Sequence, residues 1–387
     1  MKVMIVSRGY PSNRYKGNGI FEFDQAKALT KQGIDVILAA ADIRSIRRWR
    51  TWGFENKIIE GVKVYAINLP VGRVPNPVKR CLGYLALCLL YNRIVKAEGK
   101  PQIIHAHFPF QGYNAAKLKQ REAIPLVVTE HASSMMGTEI SKENYRLAAG
   151  AYEYADRIIA VSPALQSVIS EKFQKKALYI PNMIDTKLFS FNPSLQSEKL
   201  TFVSVGMLTY LKRMDLLIDA FATISNEYSD VYLDIIGSGP EKQMLEQLIR
   251  KYDLHNKVVL HGFQKRSYIA DKMKEGFCFV LPSQQETFGV VYAEAMACGL
   301  PVIATRCGGP EGFVTPDNGI LIDVDNQCAL ETAMRYMLEN RNKYDNGKIS
   351  RFAWERFSPE VVVGKLIELY GDVLADTAAH EKESHDN

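Results

Sequence analysis

The 387-residue sequence has few cysteines, and their spacing argues against a cross-linked or metal-stabilised protein. Six cysteines are present, none of them in a Cys-x-x-Cys pair or near a histidine at zinc-binding spacing. A disulfide framework and a structural zinc site are therefore not expected.

Long apolar runs are also missing. The longest, Leu82 to Tyr91, is about half the ~20 residues that a membrane-spanning helix needs. The first residues, MKVMIVSRGYPSN, contain too short an apolar stretch for a signal peptide and predict a β-strand instead. We therefore expect a cytoplasmic protein.

The composition is that of a globular protein, with 47% hydrophobic and 24% charged residues, and the length suggests two domains. Charge is unevenly placed: residues 1–121 hold 21 Lys and Arg against 7 Asp and Glu, whereas the remainder holds 27 against 36. The basic part indicates an anionic partner, such as a phospholipid surface or a phosphorylated acceptor, or simply a solvated basic face. Nucleic acid is not expected, because no base-reading motif accompanies the charge.

Strand-like and helix-like segments alternate along the whole chain, and both halves begin with a strand, a glycine loop, a helix and a second strand. Near-continuous apolar strands between helices indicate parallel sheets covered on both faces. The predicted strands are Lys2–Ser7, Ile34–Ala39, Val62–Ile67, Ile103–His107, Leu126–Thr129, Arg157–Val161, Leu178–Ile180, Thr201–Val205, Val231–Ile236, Val258–His261, Phe277–Leu281, Pro301–Ala304 and Ile320–Ile322. The predicted fold class is α/β, with two tandem Rossmann-like doubly wound domains and a ligand-binding cleft between them.

The domain boundaries follow from breaks in this alternation. We predict an N-terminal domain over 1–185 and a linker or hinge over 186–198, which is rich in Pro, Asn and Ser. A C-terminal domain follows over 199–360. A last helix over 361–375 is expected to pack back towards the N-terminal domain, and a frayed tail over 376–387 to end the chain.

The most informative stretch is residues 282–305, PSQQETFGVVYAEAMACGLPVIAT. Glu286 follows a predicted strand, Thr287 to Val290 begin a helix, and Glu294 lies eight positions after Glu286. The first amides of a helix have no internal partner, and this geometry suits a phosphate, while carboxylates accept hydrogen bonds from sugar hydroxyls. On spacing alone, Glu286 could equally be a helix-start charge and Glu294 a surface residue.

The same stretch resembles the signature of the large retaining glycosyltransferase family 4, which has the two-domain GT-B fold. The resemblance extends over nearly the whole chain, in order and spacing. Its further parts are Gly17-Asn18-Gly19, Pro181-Asn182 with Asp185 and Phe189, Gly237-Ser238-Gly239-Pro240, Gly308-Gly309-Pro310-Glu311 and Asn318-Gly319.

This resemblance implies an acceptor-binding N-terminal domain and a C-terminal domain that binds the nucleotide sugar. Glu286 would bind donor-sugar hydroxyls, the Phe288–Val290 amides the diphosphate, and Glu294 the ribose. Lys212 would bind a phosphate and stabilise charge on the leaving group. The implied donor-binding residues are Gly17, Gly19, Gly206, Lys212, Arg213, Gly237, Glu286, Thr287, Phe288, Gly289, Val290 and Glu294, and the implied catalytic residues are His131, Glu286 and Lys212.

One departure concerns the phosphate-binding cations. The family often has Gly-Arg-Leu where this chain has Gly206-Met207-Leu208. We hypothesise that Arg213, which follows Lys212, partly replaces the missing charge.

In the first domain, Glu130-His131 follows a strand and resembles the family segment in which a histidine contacts the reacting sugar. We place Glu130, His131 and His107 on the acceptor side, although a histidine lining the cleft without contacting substrate fits the sequence equally. His105 and His107 share a strand face like a metal pair, but no third ligand follows at plausible spacing. Asp323-Val324-Asp325 is interpreted as a solvated turn. No metal and no cofactor is expected.

Two basic segments suggest contact with an anionic membrane. The first contains Arg47, Arg48, Trp49 and Arg50, and the second contains Lys79 and Arg80 at the start of the apolar helix Pro77–Lys96. For that helix, an ordinary core position is the alternative.

Together these features imply a retaining hexosyl- or N-acetylhexosaminyltransferase that uses a nucleotide diphosphate sugar, with UDP favoured over GDP. The acceptor would be a lipid-linked or other glycan precursor in bacterial polysaccharide or glycoconjugate synthesis, and the enzyme would be cytoplasmic or peripheral on the inner face of the plasma membrane. Two alternatives stay open: a nucleotide-sugar epimerase or phosphorylase on the same fold, and a non-catalytic binding subunit. Met207 favours the binding subunit, whereas Glu286, Glu294, Lys212 and His131 argue against it.

Overall fold

The protein, described here from a computed structural model, folds into two compact α/β units. The described residues are 1–12, 15, 17–43, 51–72, 74–137, 139–195 and 199–385. The first unit comprises Met1–Val161, Leu165–Ile180 and Val362–Asn387, and the second comprises Ser162–Ala164 and Pro181–Val361. The chain thus enters the second unit before the predicted linker, and its C-terminal segment belongs to the first unit. A hinge over 186–198 stays a prediction.

The first unit is built on an eight-stranded sheet in the order β3-β4-β2-β1-β5-β6-β7-β8. All neighbours are parallel except β3 and β4. Its elements up to residue 180 are β1 (Lys2–Ser7), α1 (Ile20–Lys31), β2 (Asp35–Asp42), β3 (Gly53–Ile59), β4 (Val62–Asn68), α2 (Asn76–Glu98), β5 (Ile103–His107), α3 (Phe108–Glu122), β6 (Leu126–Glu130), α4 (Lys142–Tyr154), β7 (Arg157–Ala160), α5 (Pro163–Phe173) and β8 (Leu178–Tyr179).

The second unit carries a six-stranded parallel sheet in the order β11-β10-β9-β12-β13-β14. Relative to chain order within the unit this is 3-2-1-4-5-6, the Rossmann order. Its elements are β9 (Leu200–Val205), α6 (Met214–Glu227), β10 (Val231–Ile236), α7 (Lys242–Lys251), β11 (Val258–Leu260), α8 (Arg266–Glu275), β12 (Cys278–Leu281), α9 (Val290–Ala297), β13 (Val302–Thr305), β14 (Gly319–Ile322), α10 (Gln327–Glu339) and α11 (Asn346–Phe357).

The predicted strands are confirmed within a few residues at each end, because their apolar side chains fill the two cores. Strands β5 and β6 are buried at every position, as expected for parallel strands covered on both faces. Strand β3 was not predicted. It is an exposed edge strand with no apolar run, and it joins β4 through a tight turn in which Glu60 and Gly61 both have positive φ.

The last helix, α12, runs over Pro359–His385 and so continues past residue 375, where the sequence predicted it to end; fraying of the tail stays a prediction. Ala378 and Ala379 are strong helix formers. The Asp376 carboxylate also accepts a hydrogen bond from the Arg157 guanidinium, which ties this part of the helix to the start of β7. Polarity alone therefore did not mark the end of the helix.

Candidate active site

In each unit some of the predicted site residues lie where the strand order reverses. In doubly wound sheets ligands bind at this point, beyond the carboxyl ends of the strands. In the second unit the reversal falls between β9 and β12, and Lys212 and Glu286 follow these two strands. In the first unit it falls between β1 and β5, and His107 is the last residue of β5.

Lys212 and Glu286 form an ion pair. The Lys212 ammonium donates to Glu286 Oε1, which also accepts a 2.9 Å hydrogen bond from Ser283 Oγ. Both side chains keep some contact with solvent, at 22% and 12% exposure. The Glu286 backbone is fixed from both sides, because its N–H donates to Cys307 O and its carbonyl accepts from the Gly309 N–H. The Lys212 cation and the Glu286 anion are thus held next to each other and can both be reached from solvent.

The segment after Glu286 leads into the N-terminus of α9. Gly289 adopts a left-handed conformation, with φ of 85°, directly before the helix begins at Val290. Phe288 is buried against the rings of Phe313 and Phe357, at centroid distances of 5.2 and 5.4 Å, and Thr287 is also buried. The helix start therefore has a rigid support and presents its first amides close in sequence to Glu286.

Glu294 lies further along α9 and is buried. Its Oε1 accepts a 2.8 Å hydrogen bond from Arg266 Nη2 at the start of α8. The Arg266 guanidinium also lies over the Phe189 ring, 5.5 Å from its centroid. Sequence reasoning missed Arg266 and Ser283, since no motif connects either residue to the carboxylate that it contacts.

The turns after β9 and β10 are joined through their backbones. Gly206 N donates to Ile236 O, and Leu208 N donates to Ser238 O. A Cβ at Gly237 would lie 1.8 Å from the Gly206 carbonyl oxygen, so no larger residue fits there. Gly206 and Gly237 therefore shape the loop that carries Lys212, and they leave Met207 exposed.

The structure does not support Arg213 as a free phosphate-binding cation. Its guanidinium donates to both Asp215 oxygens, at 3.1 and 3.2 Å, and to Asp325 Oδ1. Asp325 also accepts from Gln284 Nε2 at 2.9 Å. Two carboxylates thus offset the positive charge of Arg213, and Asp325 belongs to this ion-pair network rather than to a simple solvated turn.

In the first unit, three imidazoles stack upon one another. The His105 and His107 rings are 4.5 Å apart at 22°, and the His107 and His131 rings are 5.1 Å apart at 15°. His107 Nδ1 and His131 Nε2 lie 2.9 Å apart, within hydrogen-bond distance. Burial lowers the pKa of His105 to about 3 and that of His107 well below its usual value, so both rings are neutral.

Two aromatic residues that the sequence did not single out flank His131. Phe21 of α1 stacks on it at 6.1 Å, and Phe108 tilts against it at 5.1 Å. Phe108 is strained, with φ of 68°, and the Arg8 guanidinium covers its ring at 4.2 Å. The positive φ of a bulky residue cannot be inferred from sequence, so Phe108 carried no signal.

Glu130 is fully buried and supports the loop that carries His131. Its Oε1 accepts from the N–H groups of His131 and Ala132, and its Oε2 accepts from Tyr152 OH at 2.6 Å. Burial raises its pKa to about 7 despite these bonds. The structure thus places Glu130 behind His131, and its role as an acceptor-side group stays a prediction.

Of the glycine loop, Gly19 directly precedes α1 and Gly17 is exposed. The loop leads to Phe21 and to Gln25, whose Nε2 lies 3.1 Å from His105 Nδ1. The glycine loop of the first unit therefore positions the helix that contacts the histidine stack.

Only part of the predicted membrane surface can be described, because Arg47, Arg48, Trp49 and Arg50 lie outside the described residues. Lys79 is exposed, whereas Arg80 donates to both Glu143 oxygens at 2.7 Å. The outer side of α2 also exposes Val78, Leu85 and Leu89, and its inner side is buried. Within the described residues, no helix is both long and apolar enough to cross a membrane.

Over the described ranges no cluster of three or more His, Cys, Asp or Glu side chains is arranged to hold a metal ion. His105 and His107 instead have protein partners, since His105 lies 2.6 Å from Tyr370 OH and 2.7 Å from Thr129 Oγ1. Independence from metals stays a prediction.

Two sequence families match successive parts of the chain. The family described as Glycosyltransferase Family 4 matches residues 19–188, and the family described as Glycosyl transferases group 1 matches residues 185–349. An uncharacterized glycosyltransferase of Methanocaldococcus jannaschii is 29% identical over 75% of this chain and 82% of its own length. N-acetyl-alpha-D-glucosaminyl L-malate synthase of Bacillus anthracis is 29% identical over 71% of this chain and 75% of its own.

Solved structures share the fold. Sucrose-phosphate synthase of Thermosynechococcus elongatus has a TM-score of 0.80, with 20% identity over 97% of this chain and all of its own. HepE of Anabaena, solved with UDP and glucose, has a TM-score of 0.73, with 21% identity over 96% of this chain and all of its own. The fold is therefore GT-B, and the chain belongs to the group 1 glycosyltransferases of glycosyltransferase family 4.

Proposed function

We propose that this glycosyltransferase moves a hexosyl or N-acetylhexosaminyl group from a nucleotide diphosphate sugar, UDP-linked rather than GDP-linked, to an acceptor hydroxyl with retention at the anomeric carbon. The observation that carries the proposal is the Lys212–Glu286 ion pair at the strand reversal of the second unit, followed by the N-terminus of α9. A sugar diphosphate needs both halves of this arrangement: a cation and helix amides for the phosphates, and a carboxylate for the hydroxyls.

In this proposal Lys212 and the Phe288–Val290 amides bind the diphosphate. Glu286 orients the sugar, and Glu294 binds the ribose. The acceptor oxygen forms a bond to the anomeric carbon on the face from which the diphosphate oxygen leaves. The acceptor proton passes to that leaving oxygen, and the enzyme contributes position and charge stabilisation. His131 contacts the reacting sugar from the first unit.

The names of relatives support the choice of donor and acceptor classes. HepE of Anabaena was solved with UDP-glucose, and the Bacillus anthracis relative is named N-acetyl-alpha-D-glucosaminyl L-malate synthase. A relative from Bacillus subtilis is named for teichuronic acid biosynthesis. The last of these names, together with the basic first part of the chain, favours a lipid-linked or other glycan precursor as the acceptor, met at the inner face of the plasma membrane.

Nucleotide binding tests the proposal first. UDP, GDP and ADP are added separately to the wild-type protein, to Lys212→Ala, and to Lys348→Ala, which removes an 81% exposed lysine of the same unit as a control. A ligand at 100 times its Kd adds about 2.7 kcal/mol and raises Tm by several degrees. We expect UDP to stabilise the wild type and Lys348→Ala but not Lys212→Ala. No shift with any nucleotide would contradict the proposal.

The chemistry is tested on the product. With a donor of known anomeric configuration, proton NMR of the isolated glycoside should show the same configuration, and inversion would exclude the retaining mechanism. Conversion of the donor without an acceptor would instead indicate an epimerase. Turnover in excess EDTA should equal turnover without it, since the proposal assigns no step to a metal ion.

A further inference from the structure

A chain of buried hydrogen bonds connects helix α12 to His131 within the first unit. We propose that Tyr370 and Gln25 are positioning residues that hold the single imidazole proton of His131 on Nδ1, acting through His105 and His107. Each step follows from which atom must donate and which must accept.

The first step is the contact between Tyr370 and His105. The phenol oxygen lies 2.6 Å from His105 Nδ1, and the opposite nitrogen, Nε2, lies 2.7 Å from Thr129 Oγ1. A neutral imidazole has one donor and one acceptor nitrogen, and a phenol O–H is a stronger donor than an imidazole N–H. Tyr370 therefore donates to Nδ1, and His105 carries its proton on Nε2, facing Thr129.

The second step fixes the amide of Gln25. One terminal atom of this amide lies 3.1 Å from His105 Nδ1 and 3.4 Å from His107 Nε2. His105 Nδ1 presents a lone pair. An amide oxygen at this place would set its own lone pair against that of the nitrogen, which is repulsive. The amide nitrogen must occupy this place: one N–H shares the single His105 Nδ1 lone pair with the Tyr370 hydroxyl, and the other is left for His107 Nε2.

The third step concerns the hydrogen bond between His107 and His131. His107 accepts from Gln25 at Nε2, so its proton is on Nδ1, which lies 2.9 Å from His131 Nε2. His131 then accepts at Nε2 and carries its own proton on Nδ1. The His105 and His107 rings are near-parallel, and burial keeps both of them neutral, so neither takes a second proton.

The consequence concerns what His131 offers to a substrate, and this part rests on the proposed function. His131 Nδ1 is buried in this structure, so a sugar oxygen would have to reach it on binding. An Nδ1–H group can donate a hydrogen bond to that oxygen but cannot remove a proton from an acceptor hydroxyl, so deprotonation would be left to the leaving diphosphate.

The tautomer can be measured without substrate. The full-length protein contains seven histidines, so selective ¹⁵N-histidine labelling gives a small set of imidazole signals. These are assigned with His131→Asn and His107→Asn. In each ring the nitrogen that bears no proton resonates far downfield of the other. We expect His131 to show a protonated Nδ1 and an unprotonated Nε2. A protonated Nε2 on His131 in the wild type would overturn the proposal.

Two variants test how the proton position is transmitted. Gln25→Glu places an acceptor beside His107 Nε2, so the bonds should reverse and the His131 proton should move to Nε2. Tyr370→Phe removes the first donor, and His131 should then show both tautomers. Tyr65→Phe is the matched control, because it removes a buried tyrosine hydroxyl that contacts Glu98 instead. An unchanged His131 tautomer in both Gln25→Glu and Tyr370→Phe would show that Tyr370 and Gln25 do not determine the position of the His131 proton.

Kinetics separates this inference from the proposed function. Gln25→Glu should lower kcat about tenfold, as expected for one lost hydrogen bond, and leave the KM for the donor nearly unchanged. If the tautomers behave as expected but His131→Ala keeps full activity, the positioning chain stands and the role of His131 in sugar transfer fails. If His131→Ala is inactive and the wild-type His131 carries its proton on Nε2, the role of His131 in sugar transfer stands and the positioning chain fails.

Discussion

The points at which the strand order reverses in the two sheets carry different kinds of side chain. The second unit places charged side chains at partly accessible positions, with Lys212 against Glu286 and Arg213 between two aspartates. The first unit stacks the neutral, buried imidazoles of His105 and His107 against the half-buried His131, which Phe21 and Phe108 flank. The same fold position is thus built for charge in one unit and for shape and proton position in the other.

This contrast concerns the kind of group that each reversal is suited to bind. A charged group is bound by counter-charges, whereas a neutral group is recognised by fixed hydrogen-bond donors and acceptors. If the division is real, substitutions in the second unit should act mainly through charge, and substitutions in the first through burial and hydrogen-bond direction.

The largest effect should come from removing the charge of Glu286 while keeping its shape. Glu286→Gln keeps an oxygen for Ser283 or Lys212 but loses the anion, and we expect kcat/KM for sugar transfer to fall by about 10² to 10³. Glu246→Gln on helix α7 of the same unit is the control, since that carboxylate is 40% exposed. Wild-type turnover in Glu286→Gln would remove this residue from the site.

The burial of the first unit should appear as a pH effect on stability. Because the pKa of Glu130 is raised to about 7 in the folded state, the unfolded chain ionises first as the pH rises from 5 to 7, and folding is progressively disfavoured. In Glu130→Gln this contribution, up to on the order of 3 kcal/mol, is absent. Tm measured between pH 5 and pH 8 should therefore fall less steeply in Glu130→Gln than in the wild type.

Glu153→Gln on helix α4 provides the comparison, because that carboxylate is 62% exposed and pairs only across the surface with Lys175. Its profile should follow the wild type. Parallel profiles for all three proteins would mean that the pKa of Glu130 is not raised in the folded state, and the contrast between the units would weaken.

Sequence reasoning recovered the second site better than the first. Glu286, Glu294 and the start of α9 lie in one continuous motif, so spacing alone placed them on one helix and its preceding loop. The histidine stack depends on Gln25, Thr129 and Tyr370, which come from three distant segments. Nothing in a single sequence marks such contacts, and the exposed edge strand β3 was missed because it lacks the apolar pattern of a buried strand.

A smaller effect is expected on membranes, if the exposed face of α2 supplies the predicted apolar contact. Leu85 and Leu89 are about half exposed and lie one turn apart. Their joint replacement by serine should weaken binding to phosphatidylglycerol vesicles about tenfold, as loss of partly buried leucine surface predicts. Phe263→Ser, which removes a 72% exposed side chain of the second unit, should bind as the wild type does. Equal cosedimentation of all three proteins would exclude α2 as the contact surface.

The smallest effect should come from Arg213, and it tests whether a second cation is needed in the charged site at all. Its guanidinium is already held by Asp215 and Asp325, so little of its charge is left for a diphosphate. We expect the Kd for UDP to change less than about threefold in Arg213→Ala, because partly exposed and neutralised charges contribute little. Lys212→Ala should weaken the same binding strongly. Should the two variants lose affinity equally in titration calorimetry, Arg213 must leave its aspartates when the nucleotide binds, and the cation missing at Met207 is replaced after all.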